Sequence, residues 1–177
     1  MFKEAPMKKI SPRSLCRISL IAAIYFCLSV FFAPISFGSA QMRVAEALTI
    51  LPAMSPLGIL GVTLGCLISN LYGAFTGANI LGILDVFFGT FATFSASILT
   101  YLLRGFKLFG VPIASTIPPI LVNAFIIGAE LSYVTTGSIF SPVFLIYALQ
   151  IGLGQFLSCT VLGFFLYKAL KRGNIKI

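Results

Sequence analysis

Apolar residues along this chain run in long blocks, separated by short clusters of Gly, Pro, Ser and basic residues. A helix needs about 20 residues to cross a hydrocarbon layer about 30 Å thick, so each long block reads as a candidate membrane span. Six spans are predicted: Arg17 to about Ile35, about Met42 to Leu51, Leu57 to about Tyr72, Ile80 to Leu103, Pro118 or Pro119 to about Val134, and Pro142 to Tyr167. The second is short. Ten residues rise only about 15 Å as an α-helix, which makes it an incomplete span or one buried among its neighbours. The sixth is long enough to tilt. The fold class expected is an all-α integral membrane protein, a compact six-helix bundle. Residues 1–16 form a basic amino-terminal segment, 17–167 the membrane domain and 168–177 a basic tail.

Charge placement supports this reading and assigns sides. The formal net charge of +8 would suit a nucleic-acid binder. However, eleven of the twelve Lys and Arg flank span ends, in the positive-inside distribution, so the basic balance reports topology. With six crossings, both termini fall in the cytoplasm, along with Arg104 and Lys107. Composition agrees, with 59% hydrophobic and only 9% charged residues. The first apolar run also has the outline of a secretory signal, with Gly38, Ser39 and Ala40 behind it. Its length and brief polar flank favour a retained span. Neither a zinc site nor a disulfide scaffold is expected, because Cys16, Cys27, Cys66 and Cys159 form no CxxC pair. The chain has no His, which excludes imidazole-based catalysis and His-ligated metal; no cofactor or enzymatic role is expected. It also lacks a GxxxxGK[ST] phosphate loop, so it supplies no ATP-driven step itself.

The remaining charges gather on the outward side. Arg43 and Glu46 follow the first span, Asp85 opens the fourth, and Glu130 lies near the outward end of the fifth. An ionisable group at membrane depth costs about 2.5–3.5 kcal/mol, so such groups pair or line a polar cavity. A pocket opening outward is the simplest common explanation. Arg43 and Glu46, three apart, can pair with each other or merely fix a short helix at the interface. Asn123 and Glu130, seven apart, return to nearly one helix face and can address one cavity at two depths. Asp85 can bind a ligand or cap the start of its helix. Gln41, Tyr147 and Gln150 complete the candidate set, Tyr147 as a surface on which a flat ligand can stack. On the first span, Ser19, Ala23 and Cys27 recur every fourth residue, a small-residue stripe that admits another helix from this chain or from a partner.

The blocks FGSAQMRVAEALTILP, LDVFFGTFATFSASILTYLL and PPILVNAFIIGAEL, in that order, resemble the QueT family of substrate-binding S-components of energy-coupling-factor transporters. The resemblance spans about residues 15 to 167, and QMRVAEALTILP is its most specific part. It implies a six-helix cell-membrane protein that captures a nutrient from outside. Uptake would then need a transmembrane coupling subunit and two ATP-binding subunits. It also implies a ligand among the queuosine precursors, 7-deazaguanines that include queuine, with no nucleic-acid partner. A small-residue AxxxA stripe on the first helix contacts the coupling subunit in S-components; here Ser19 stands in place of the first Ala and Ala23 matches the second. The ligand chemistry suits the candidates, since a guanine-like edge presents adjacent donors to a carboxylate and an oxygen that needs a donor. Under this implication Glu46 or Glu130 holds that edge, Asn123 or Gln41 contacts its oxygen, Asp85 offsets a ligand amine and Arg43 orients Glu46. The alternatives are an S-component for another vitamin-like nutrient and a stand-alone ion-coupled transporter using Asp85, Glu130 and Arg43 as a proton relay.

Overall fold

The first helix begins five residues before the apolar run does, because the sequence supplies a cap there. The Ser11 side chain accepts a hydrogen bond from the Ser14 amide at 3.2 Å, and Pro12 occupies the first turn, where its missing N–H costs nothing. The structure is a computed structural model that describes residues 11–37, 42–108 and 110–175. Among these the chain is all-helical apart from one bridge between Leu108 and Val111. The helices are α1 (Pro12–Phe31), α2 (Ala33–Ser36), a 3-10 helix (Val44–Ala53), α3 (Leu57–Thr76), α4 (Ile83–Leu102), α5 (Ile117–Thr136), α6 (Phe144–Gln155) and α7 (Gly163–Arg172). Gly77 and Gly137, with φ of 70° and 72°, end α3 and α5 in the left-handed conformation that glycine adopts without a Cβ penalty.

Five stretches are long and apolar enough to cross a membrane: Pro12–Phe31, Leu57–Thr76, Ile83–Gly105, Ile113–Thr136 and Phe144–Arg172. The predicted long spans are all present with shifted ends. The last continues to Arg172 through a π-helical segment, Phe156–Leu162, that joins α6 to α7. Large apolar side chains such as Leu20, Phe31, Phe75, Phe87, Leu121 and Leu153 point outward, as lipid-facing residues do, while much of the interior is polar. Helices adjacent in sequence pack side by side, α1 on α3, α3 on α4, α4 on α5 and α5 on α6.

The short second segment differs most from expectation. It winds as a 3-10 helix over ten residues, which rises about 2.0 Å per residue and so reaches about 20 Å instead of 15 Å. Every residue from Ala45 to Pro52 is buried, so it is an interior strut touched by α1, α3, α4, the π segment and α7. The under-wound π segment lies against this over-wound helix, and Gly163 and Ile50 meet where they join. Glycines set the spacing elsewhere. A Cβ on Gly61 would stand 2.7 Å from the Ile21 side chain, and one on Gly65 would stand 2.6 Å from Tyr25 Cβ, so α1 and α3 approach over these two positions.

Overpacking at such a contact costs about 1–3 kcal/mol. Gly65→Ala is therefore expected to lower the thermal unfolding midpoint of the detergent-purified protein. Gly105→Ala, where an added Cβ meets nothing within 4 Å, is expected to leave it unchanged.

Candidate binding site

Arg43 precedes the first turn of the 3-10 helix with extended backbone angles, φ −89° and ψ 101°, so its side chain leaves the axis and runs between α3 and α4. There it forms an ion pair with Asp85, both groups buried. The same guanidinium donates to Asn70 Oδ1 at 3.1 Å and lies over the Phe37 ring, 5.9 Å from its centroid. Asp85 also accepts from Asn79 Nδ2 at 2.6 Å, and Asn70 Nδ2 donates to the Asp85 backbone carbonyl at 2.7 Å. Asn79 in turn is held by the turn between α3 and α4, its side-chain oxygen accepting from the Leu81 amide at 3.1 Å. Arg43, Asp85, Asn70 and Asn79 thus tie the start of the 3-10 helix to the later turns of α3 and the first turn of α4.

Glu46 follows one turn later and takes a different partner, the Tyr25 hydroxyl, which donates to Oε1. The pairing of Arg43 with Glu46 expected from their spacing does not form. The i, i+3 argument assumes that both residues lie within a helix, whereas Arg43 lies before one and reaches across to α4. The capping reading of Asp85 also fails, since α4 has no side-chain cap and the carboxylate is spent on Arg43 and Asn79. Gly89, one turn further along α4, makes room for it: a Cβ there would fall 1.8 Å from Asp85 Oδ1.

Asn123 and Glu130 do not share one cavity. Asn123 borders a narrow space with Arg43, Ile127, Ile151 and Gln155, too tight for a water-sized sphere. Glu130 lines a separate groove of about 360 Å³ with Leu84, Phe88, Phe125, Ala129 and Tyr133. The two lie nearly on one face of α5 but about 10 Å apart along its axis, and at the level of Glu130 the groove is walled by Leu84 and Phe88 of α4. Tyr147 is half-buried against Leu81, Ile127, Leu131 and Ile151, and Gln150 is half-buried one turn on. Ser19, Ala23 and Cys27 are all exposed along the outer face of α1. Gln41 lies outside the described residues.

Several members of the site were not singled out from sequence. Tyr25, Asn70, Asn79 and Gln155 are each buried and face the Arg43 region or its neighbour Glu46. An amide inside an apolar run, as in LISNLYG and GLGQFL, is the signal that marks Asn70 and Gln155, because such a group needs a polar partner in lipid. Chemically the site is rich in acceptors. Glu46 Oε2, Asp85 Oδ1 and both Glu130 oxygens are buried without a hydrogen-bond partner. A buried acceptor left unpaired costs about 1–3 kcal/mol, and more for a charged group, which favours any ligand that brings donors.

A family model described as "QueT transporter" matches residues 15–172. A similar protein is "Queuosine precursor transporter QueT" of Lactococcus lactis subsp. cremoris (strain MG1363), 34% identical over 77 residues, which cover 42% of this chain and 45% of that relative. The alignment thus spans less than half of the relative's length. No solved structure matches the chain.

Removing one partner of a buried ion pair costs about 3–5 kcal/mol because the other charge is stranded. Arg43→Ala is expected to destabilise the purified protein severely in thermal unfolding. Arg43→Ala with Asp85→Ala is expected to unfold later than Arg43→Ala alone, since no lone carboxylate remains.

Proposed function

The chain belongs to the QueT transporter family, and from that premise we propose that it is the membrane-embedded substrate-binding component of an energy-coupling-factor importer, capturing a 7-deazaguanine queuosine precursor from outside. Support comes from the set of buried carboxylate oxygens without donors beside the Arg43 network. A deazaguanine edge carries adjacent N–H donors, which Glu46 Oε2 accepts, while Asn123 and Gln155 supply amide donors to the ring oxygen. Tyr25 fixes the other Glu46 oxygen, and Arg43 is held by Asp85, so both are positioning groups in this reading. In this reading Gln41, Tyr147 and Gln150 remain further candidates for ligand contact, on their sequence positions alone.

In this reading the 3-10 helix counts as a sixth, shortened crossing and both termini face the cytoplasm, which the basic residues at Arg13, Arg17, Lys168, Lys171 and Arg172 support. No residue of the chain supplies energy, so transport depends on a coupling subunit and two ATP-binding subunits. The exposed small residues Ser19, Ala23 and Cys27 give that coupling subunit a surface for close helix approach. Transport then moves the substrate-binding component as a body and carries the filled site inward.

Titration calorimetry with queuine is expected to show binding that Glu46→Gln and Asn123→Ala each weaken about tenfold, in line with loss of a hydrogen bond to a charged or buried group. Unchanged affinity in both variants would remove this site. Ala23→Phe is expected to keep queuine binding and to abolish co-purification with the coupling subunit. Uptake by vesicles that hold this chain alone, driven by a proton gradient, would instead support the ion-coupled alternative.

A further inference from the structure

Glu130 stands apart from the network that engages the other buried charges. Among the described residues the buried charged side chains are Arg43, Glu46, Asp85 and Glu130, three acids against one base. Arg43 is committed to Asp85, and Glu46 holds the Tyr25 hydroxyl. Glu130 is 7% exposed, and neither of its carboxylate oxygens has a hydrogen-bond partner. Yet it lines a groove of about 360 Å³, large enough for a single heterocycle.

The rest of that groove is apolar or aromatic. Phe88 and Leu84 come from α4, Phe125, Ala129 and Tyr133 from α5, and Ile139 from the turn that follows. A carboxylate lining an apolar, aromatic cleft fits the aminomethyl arm of a ligand whose ring is held at Glu46: the methylene packs on Phe88 and Phe125 while the ammonium donates to the orphan oxygens. Asp85, the sequence-based candidate for this role, already accepts from Arg43 and Asn79 and has lost its excess charge to them.

We infer that the Glu130 groove is the subsite for a protonated amine on the ligand and makes the protein select amine-bearing 7-deazaguanines over neutral ones. This rests on the proposed function. Its test compares two probes on the full-length protein by calorimetry, a 7-deazaguanine with an aminomethyl group at position seven and its neutral nitrile counterpart. The wild type is expected to prefer the amine. Glu130→Gln is expected to weaken the amine about tenfold, the size of one charge-assisted hydrogen bond, and to leave the nitrile within about twofold. Ala129→Leu, which narrows the groove and keeps the carboxylate, is expected to weaken the amine selectively as well, and serves if Glu130→Gln does not fold. Equal effects on both probes, or none on either, would overturn the inference, including the case in which a lipid chain fills the groove. Binding of neither probe by the wild type would instead overturn the substrate reading.

Discussion

The structure depends on one constraint: a guanidinium placed inside a membrane bundle must be paired on every side. Charges at membrane depth cost about 2.5–3.5 kcal/mol each, so Arg43 can persist only if the fold brings Asp85, Asn70 and the Phe37 ring to it. Those partners come from three separate places: the chain just after α2, α3 and the first turn of α4, with Asn79 of the α3–α4 turn holding Asp85 in turn. Satisfying one charge therefore fixes the relative depth of the elements around it. The same geometry leaves nearby acceptor oxygens with no donors of their own.

A second constraint follows from length. Ten residues cannot extend far enough as an α-helix, and overwinding to three residues per turn lengthens the segment by about a third. Such a helix is narrow, and its neighbours must close around it. Gly58 does so most tightly, where a Cβ would sit 2.6 Å from the Leu51 carbonyl carbon, and the π segment of the last span widens on the opposite side. The buried Glu46 is carried on this narrow element, which sets its reach to Tyr25 on α1.

The long spans were legible in sequence because lipid enforces an apolar length on each one, and Pro118 and Pro119 marked the start of the fifth, whereas the left-handed glycines Gly77 and Gly137 carry α3 and α5 a few residues past the predicted ends. The clustering of Arg43, Glu46 and Asp85 near one another was legible too, from charge placement alone. Their partners were not. Pairing Arg43 with Glu46 follows from a helical period that Arg43 never enters, and its true partner is 42 residues away, a choice that only tertiary packing makes. Asn123 and Glu130 read as one face from spacing, whereas their separation of about 10 Å along the helix axis puts them against different neighbours in two cavities. Tyr25 and Asn79 carried no pattern at all, since a tyrosine in an apolar run and an asparagine in a turn have ordinary roles that need no charged partner.

The central claim is that the buried acceptors of this QueT-family protein are completed by a donor-rich 7-deazaguanine. Native mass spectrometry of the protein purified from the membrane of cells supplied with queuosine precursors addresses it most directly. The account predicts a single bound species with the mass of a 7-deazaguanine, at clearly lower occupancy in Glu46→Gln. A bound species of unrelated chemistry, or undiminished occupancy in Glu46→Gln, would contradict it.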